Sequence, residues 1–159
     1  MRTINMKALF ATFLLFIIFA MTACSDETTS PENEIKQYIE NARVAAEKRN
    51  HSDLANLIDE SYKDQRDWNR LDIKKMARAY FFKHKNINLL TKIDSIDFQN
   101  QNSAFVVLHV AMAGNVIADL NSLSSLRAKI YKFELQLVKN DVWLLQQAKW
   151  QAANIKDML

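Results

Sequence analysis

Apolar residues recur along this chain with two different periods. From Ile35 onward, Ile35, Tyr38, Ile39, Ala42 and Ala45/Ala46 return every three or four positions, which predicts a helix with one apolar face. Ser30 followed by Pro31 is a helix-start signal, with proline tolerated at the first helical position. Lys48 and Arg49 suit a helix C-terminus, and Asn50 is a stop. A shorter helix is expected from His51, with Ser52 as its N-cap and Leu54, Leu57 and Ile58 inward. The polar stretch Asp59 to Arg70 carries two aromatic anchors, Tyr62 and Trp68. A third helix is predicted from about Leu71 to Lys83, with Ile73, Met76, Ala77, Tyr80 and Phe81 on its buried side.

After Asn86 the period falls to two. Ile87 to Phe98 and Ala104 to Met112 read as strands around a turn at Gln99 to Asn102. Gly114 to Ser125 is either a loop or a short helix through Ile117, Leu120 and Leu123. Leu126 to Val138 alternates: Tyr131, Phe133, Leu135 and Leu137 face one way, and Lys132, Glu134 and Gln136 the other. Lys139-Asn140-Asp141 is a hairpin turn signal, and Val142 to Gln151 is the last strand, with Trp143 and Trp150. Helices followed by strands predict an α+β domain: three N-terminal helices packed on a curved antiparallel sheet of about four strands. The domain is expected over 34–154, with 155–159 as a C-terminal tail.

The first 24 residues have their own logic. Arg2 and Lys7 precede an uncharged run, Ala8 to Ala20, that ends at Met21-Thr22-Ala23-Cys24. A basic start, an apolar stretch and a small-residue cleavage site form a secretory signal. The run through Ser25 is near the lower length for a membrane-spanning helix. Its Phe- and Leu-rich part ends at Ala20, however, and the chain's only cysteine stands directly after the small residue. Met-Thr-Ala-Cys resembles the lipobox of bacterial lipoproteins. The resemblance implies that residues 1–23 are a signal peptide, that Cys24 carries diacylglycerol and a further acyl chain such as palmitate, and that residues 24–33 are lipidated cysteine and tether. Two or more acyl chains give stable anchoring where one gives marginal binding. Ser25 after the cysteine resembles lipoproteins sorted to the periplasmic face of the outer membrane. The implied location is the cell envelope, and the implied partner is a membrane.

Composition narrows the chemistry. Two of the 21 Lys and Arg residues and none of the 18 Asp and Glu lie in the first 23 positions, so the remainder is nearly neutral. That gives no electrostatic footprint for nucleic acid. One glycine, Gly114, and one proline, Pro31, leave no glycine-rich phosphate loop or dinucleotide fingerprint, and no cofactor is expected. The three histidines have neither i, i+4 nor H-x-H spacing and there is no cysteine cluster, so no metal site of a recognised kind is expected. No G-x-S-x-G occurs, and the sole thiol is Cys24, so no catalytic set is legible.

Element order and several segments resemble the nuclear-transport-factor-2-like superfamily, a cone-shaped cystatin-like fold, and small lipoproteins that use it. These segments are Ala45 to Asn50, Leu57-Ile58, Tyr62-Lys63-Asp64, Tyr80-Phe81-Phe82, Phe133-Glu134-Leu135, Trp143 and Ala148-Lys149-Trp150. The resemblance implies a pocket at the open end of the cone. Enzymes of the superfamily place an Asp, His or Tyr there as general acid or base. The pocket candidates are Asp64, Tyr80, His84 and His109. His109 sits mid-strand on the side of Phe105, Val107 and Ala111 and titrates in the range proton shuttles use. Its plainer reading is a satisfied histidine on the outer or rim face. Asp64 equally reads as a brace before the third helix, and His84 as a helix-end cation sharing a face with Tyr80.

The leading expectation is a membrane-tethered periplasmic domain that binds a small apolar ligand or an envelope protein. The alternatives are an acid–base enzyme working through His109 with Asp64 or Tyr80, and a structural subunit dimerising through its sheet. A Cys24→Ser variant is expected to incorporate no labelled palmitate and to leave the membrane fraction. A variant that matures to the same membrane-bound species would overturn the lipobox assignment.

Overall fold

A computed structural model describes residues 30–158 with the exception of Ser124; the expected signal peptide, Cys24 and the first part of the expected tether lie outside the described residues. Helix α1 spans Pro31–Glu47. The Ser30 side chain caps it by accepting from the Asn33 amide, Pro31 occupies the first turn, and Glu32 and Glu34 meet the positive end of the helix dipole. The chain leaves α1 through Arg49 in the left-handed region (φ 57°). Arg49 then donates to the carbonyls of Phe81 (3.2 Å) and Lys85 (3.1 Å), clasping the far end of the third helix.

Helix α2 (His51–Asn56) is capped by Asn50, not Ser52. The Asn50 Oδ1 accepts from both the Ser52 and Asp53 amides, each at 3.1 Å, and so opens α2, while the Asn50 backbone amide donates to the Ala45 carbonyl (2.9 Å) at the end of α1. Helix α3 (Arg70–Lys83) opens with a capping box between Asn69 and Asp72. Its buried side is Ile73, Ala77 and Phe81, while Met76, expected inward, is partly exposed.

The sheet has five strands, not four, and is mixed. The extra strand, β1 (Ile58–Asp64), occupies the segment that reads as a polar stretch and runs parallel to the last strand at the sheet edge. Only Ile58, Tyr62 and Asp64 of it are buried, all on one side, but exposed Glu60 interrupts them, Asp64 is polar and a register shift separates Ile58 from Lys63, so no apolar alternation shows in its sequence. The others are β2 (Asn88–Asn100), β3 (Ser103–Ala113), β4 (Lys129–Lys139) and β5 (Trp143–Ala153), an antiparallel meander in the order β1-β5-β4-β3-β2.

Alternation sets the two faces. Val106, Leu108, Leu135 and Leu137 join Ile35, Ile39 and Tyr62 in the main core between helices and sheet. The opposite, convex face carries Lys132, Glu134 and Gln136, with Lys132 and Glu134 paired at 3.1 Å. Part of that face is covered. The segment from Gly114 to Ser125 is a loop holding one 3-10 turn (Leu120–Leu123), and residues expected as a tail form another (Ile155–Met158). Leu123 (1% exposed) and Met158 (0%) pack there on Ala111 and Ile130. At the narrow end, one Glu34 oxygen accepts from Lys139 Nζ and from Trp143 Nε1 (2.8 Å), tying the start of α1 to the β4–β5 hairpin.

Two predictions follow from this packing. Met158→Ala is expected to lower the unfolding free energy by about 2–5 kcal/mol, as for other buried methionines; urea denaturation checks it, and a change below the error would mean the C-terminal turn is not part of the fold. The bonds from Lys139, then Trp143, hold the Glu34 carboxyl below its ordinary 4.5. A lowered folded value makes this contribution present above pH 4.5 and lost as pH falls through it. The melting-temperature gap between wild type and Glu34→Gln should therefore be widest at neutral pH and narrow below 4.5.

Candidate functional site

Helices α1 and α3 do not fill the concave face of the sheet. Between them lies a cavity of about 530 Å³, within the range of small-molecule sites. The sheet supplies its floor: Leu108, Val110 and Met112 from β3, Tyr131, Phe133 and Leu135 from β4, and Leu145, Ala148 and Trp150 from β5. Tyr38, Ile39, Ala42 and Ala46 of α1 form one wall, and Ile73, Met76, Ala77, Tyr80 and Phe81 of α3 the other. The deep end is made by buried Tyr38, Ile39, Ile58 and Leu135. Trp68, Met76, Tyr131, Phe133 and Trp150, all part-exposed, surround the opening.

The polar groups on this lining are few, and most are occupied. The Tyr38 hydroxyl donates to the Leu57 carbonyl at 3.1 Å, and burial lifts its phenol well above the usual range. The Tyr80 hydroxyl donates to the Met112 sulfur at 2.8 Å; burial, then the neighbouring Tyr131, raises its phenol. Burial and then the Asp64 charge raise Tyr62 likewise. These phenols are neutral donors near pH 7. Arg43 lines the wall but is committed to two carboxylates of its own helix, Glu40 and Glu47 (2.6 Å to the latter). The second Glu47 oxygen accepts the Leu89 amide at 2.8 Å, joining α1 to β2.

Arg66 stands differently. It sits in the turn between β1 and α3, with its guanidinium carbon 4.2 Å from the Trp68 ring centre and 4.5 Å from that of Trp150. Cation–π attraction to both rings holds this part-exposed charge at the cavity rim. Asp64 builds this turn. Its side chain is 0% exposed, and Oδ1 accepts the amides of Arg66 (2.7 Å) and Trp68 (3.0 Å). Asp67, at φ 59°, completes the reversal.

The four expected pocket residues are not brought together. Only Tyr80 lines the cavity. Asp64 turns into the loop below Arg66. His84 is exposed at the end of α3, its ring stacked on the outside of Tyr80 with centres 4.1 Å apart. His109 points to the convex face, because its neighbours Leu108 and Val110 face the cavity. Its Nδ1 lies 2.7 Å from a carboxylate oxygen of Asp94, which a register shift between Ile93 and Ser95 sets apart from the ladder. Among the described residues no group of three or more His, Cys, Asp or Glu gathers. Arg43 and Arg66 have no distinguishing signal in the sequence; the one clue to Arg66 is its place between Asp64 and Trp68 in a short polar segment.

No family model matches the sequence, and no curated protein matches it. Solved structures do match. A domain of unknown function with a cystatin-like fold from Nostoc punctiforme is 15% identical, with TM-score 0.61 and 80% of each chain covered. A nuclear-transport-factor-2-like protein of unknown function from Shewanella oneidensis is 15% identical, with TM-score 0.56, covering 76% of this chain and 98% of that one. Bd1075 of Bdellovibrio bacteriovorus is 13% identical, with TM-score 0.61 over 76% of this chain; the match spans only 41% of that protein. At such identities the likeness is one of architecture. Helix order, the five-stranded sheet and these neighbours together give the domain the cone-shaped α+β fold of nuclear-transport-factor-2-like and cystatin-like proteins.

Proposed function

We propose that this chain is an envelope lipoprotein, held to the membrane by acyl chains on Cys24, whose domain binds a small, largely apolar molecule in the cavity between α1, α3 and the sheet. One observation carries the binding half of this reading. A cavity of about 530 Å³ is walled almost wholly by aliphatic and aromatic side chains, a surface that gains free energy when an apolar ligand displaces water. The lipobox-like Met21 to Cys24 carries the anchoring half, and Ser25 favours the periplasmic face of the outer membrane.

The runner-up is a small-molecule acid–base enzyme, since domains of this fold include isomerase-like ones. A general acid or base must reach its substrate within hydrogen-bond distance. His109 faces away from the cavity and Asp64 does not line it, and the one candidate that does, Tyr80, already donates its hydroxyl to the Met112 sulfur, which favours binding over turnover. A protein partner or a second copy docking on the sheet would have to meet a convex face that is polar at Lys132, Glu134 and Gln136 and covered in part by Leu123 and Met158.

Native mass spectrometry of the full-length protein, purified from its own membranes, tests this reading. A reproducible mass beyond protein and anchor is expected. Val110→Trp, which puts a large ring into the half-buried floor, should abolish it at a stability cost of about 1–3 kcal/mol. No added mass on wild type, or an adduct that survives Val110→Trp, would overturn binding in this cavity.

A further inference from the structure

We infer that the cavity takes an amphipathic acid, with its apolar body inside and its carboxylate at the rim on Arg66. This rests on the cavity-binding reading above and names the ligand's chemical class.

Two cations line the cavity, and their surroundings separate them. Arg43 faces Glu40 and Glu47, so its charge is cancelled twice within its own helix. Arg66 has one carboxylate nearby, Asp64, at 3.6 Å from Nε. The other Asp64 oxygen is occupied by the amides of Arg66 and Trp68. Asp64 therefore meets the Nε edge of the guanidinium. Nη1 and Nη2 have no hydrogen-bond or ion-pair partner among the described residues. A guanidinium offers a planar fork that matches a carboxylate with two parallel N–H···O bonds. The Arg66 side chain is 45% exposed, so a ligand can reach it without first breaking the fold.

Position matters as much as charge. Trp68 and Trp150, the rings on either side of the guanidinium, are themselves cavity lining. An apolar body lying against Phe133 and Trp150 would thus end beside the fork. Two aromatic faces limit where the long arginine side chain can swing, which lowers the ordering cost of binding. A neutral apolar ligand would use the same floor and leave the fork to solvent.

The test is a native mass-spectrometric titration of the full-length protein with dodecanoic acid and with dodecan-1-ol, repeated on Arg66→Met. Methionine keeps an unbranched apolar stem against the two tryptophans and removes the charge. Wild type is expected to bind the acid about tenfold or more tighter than the alcohol, as a charged hydrogen-bonded pair warrants. Arg66→Met should lower acid binding to the level of the alcohol and leave alcohol binding within about twofold, which also shows that the variant is folded. An acid-to-alcohol ratio unchanged by Arg66→Met would overturn the assignment. Alcohol binding without any preference for the acid would overturn it while leaving the cavity reading standing. Binding of neither probe to wild type would remove both.

Discussion

Everything described here depends on the curvature of one sheet. A flat sheet of this size would lie against α1 and α3 along its whole length and leave no interior. The ladders instead shift register between Ile93 and Ser95, between Phe98 and Asn100, and between Gln136 and Leu137. Such irregularities bend a strand and increase its twist. The sheet closes on α1 where Trp143, Leu137 and Ile35 pack tightly and diverges towards Val110, Tyr131 and Trp150. The cavity is the space left by that divergence. The shift beside Ile93 has a second effect: it releases the Asp94 carboxylate onto His109 on the convex side.

Much of this was legible in the sequence, and the parts that were not share a cause. The helices declare themselves through Ile35, Tyr38, Ile39 and Ile73, Ala77, Phe81, whose spacing is imposed by burial on one face. Strands β3 and β4 show through alternation for the same reason. Strand β1 does not, because an edge strand with a register shift buries Ile58, Tyr62 and Asp64 at unequal spacing. The end of the chain is missed for a related reason. Met158 lies in so short a segment that no period can form, and only its burial against Ala111 reveals its role. The N-cap of α2 fell on Asn50 rather than Ser52 because Asn50 lies at the shared boundary of two helices and can satisfy both amides at once.

The candidate site shows a sharper limit. Residue type pointed to His109 and Asp64 as chemistry, yet the side of the strand and the demands of a turn direct both away from the cavity. Parity alone decides His109: Leu108 and Val110 face in, so it cannot. For Asp64, two backbone amides hold Oδ1 and keep the buried carboxyl in the turn, away from the cavity lining, with Oδ2 left without a hydrogen-bond partner among the described residues. The reverse happened with Arg66. An arginine in a polar stretch carries no mark in the sequence, and its place between two indoles depends on Trp68 from the same turn and Trp150 from a strand more than eighty residues later.

The bond from Trp143 to Glu34 also fixes which way the cone points. Glu34 belongs to the first turn of α1, so the chain enters the domain beside Trp143, at the narrow end. Trp150 stands seven residues further along the same strand, roughly 23 Å away at the ordinary rise of a strand. The start of α1 and the Trp150 rim therefore stand at opposite ends of β5. A molecule leaving the cavity emerges at the end of the domain remote from Pro31, so traffic through the rim and the entry of the chain do not compete for the same side of the fold.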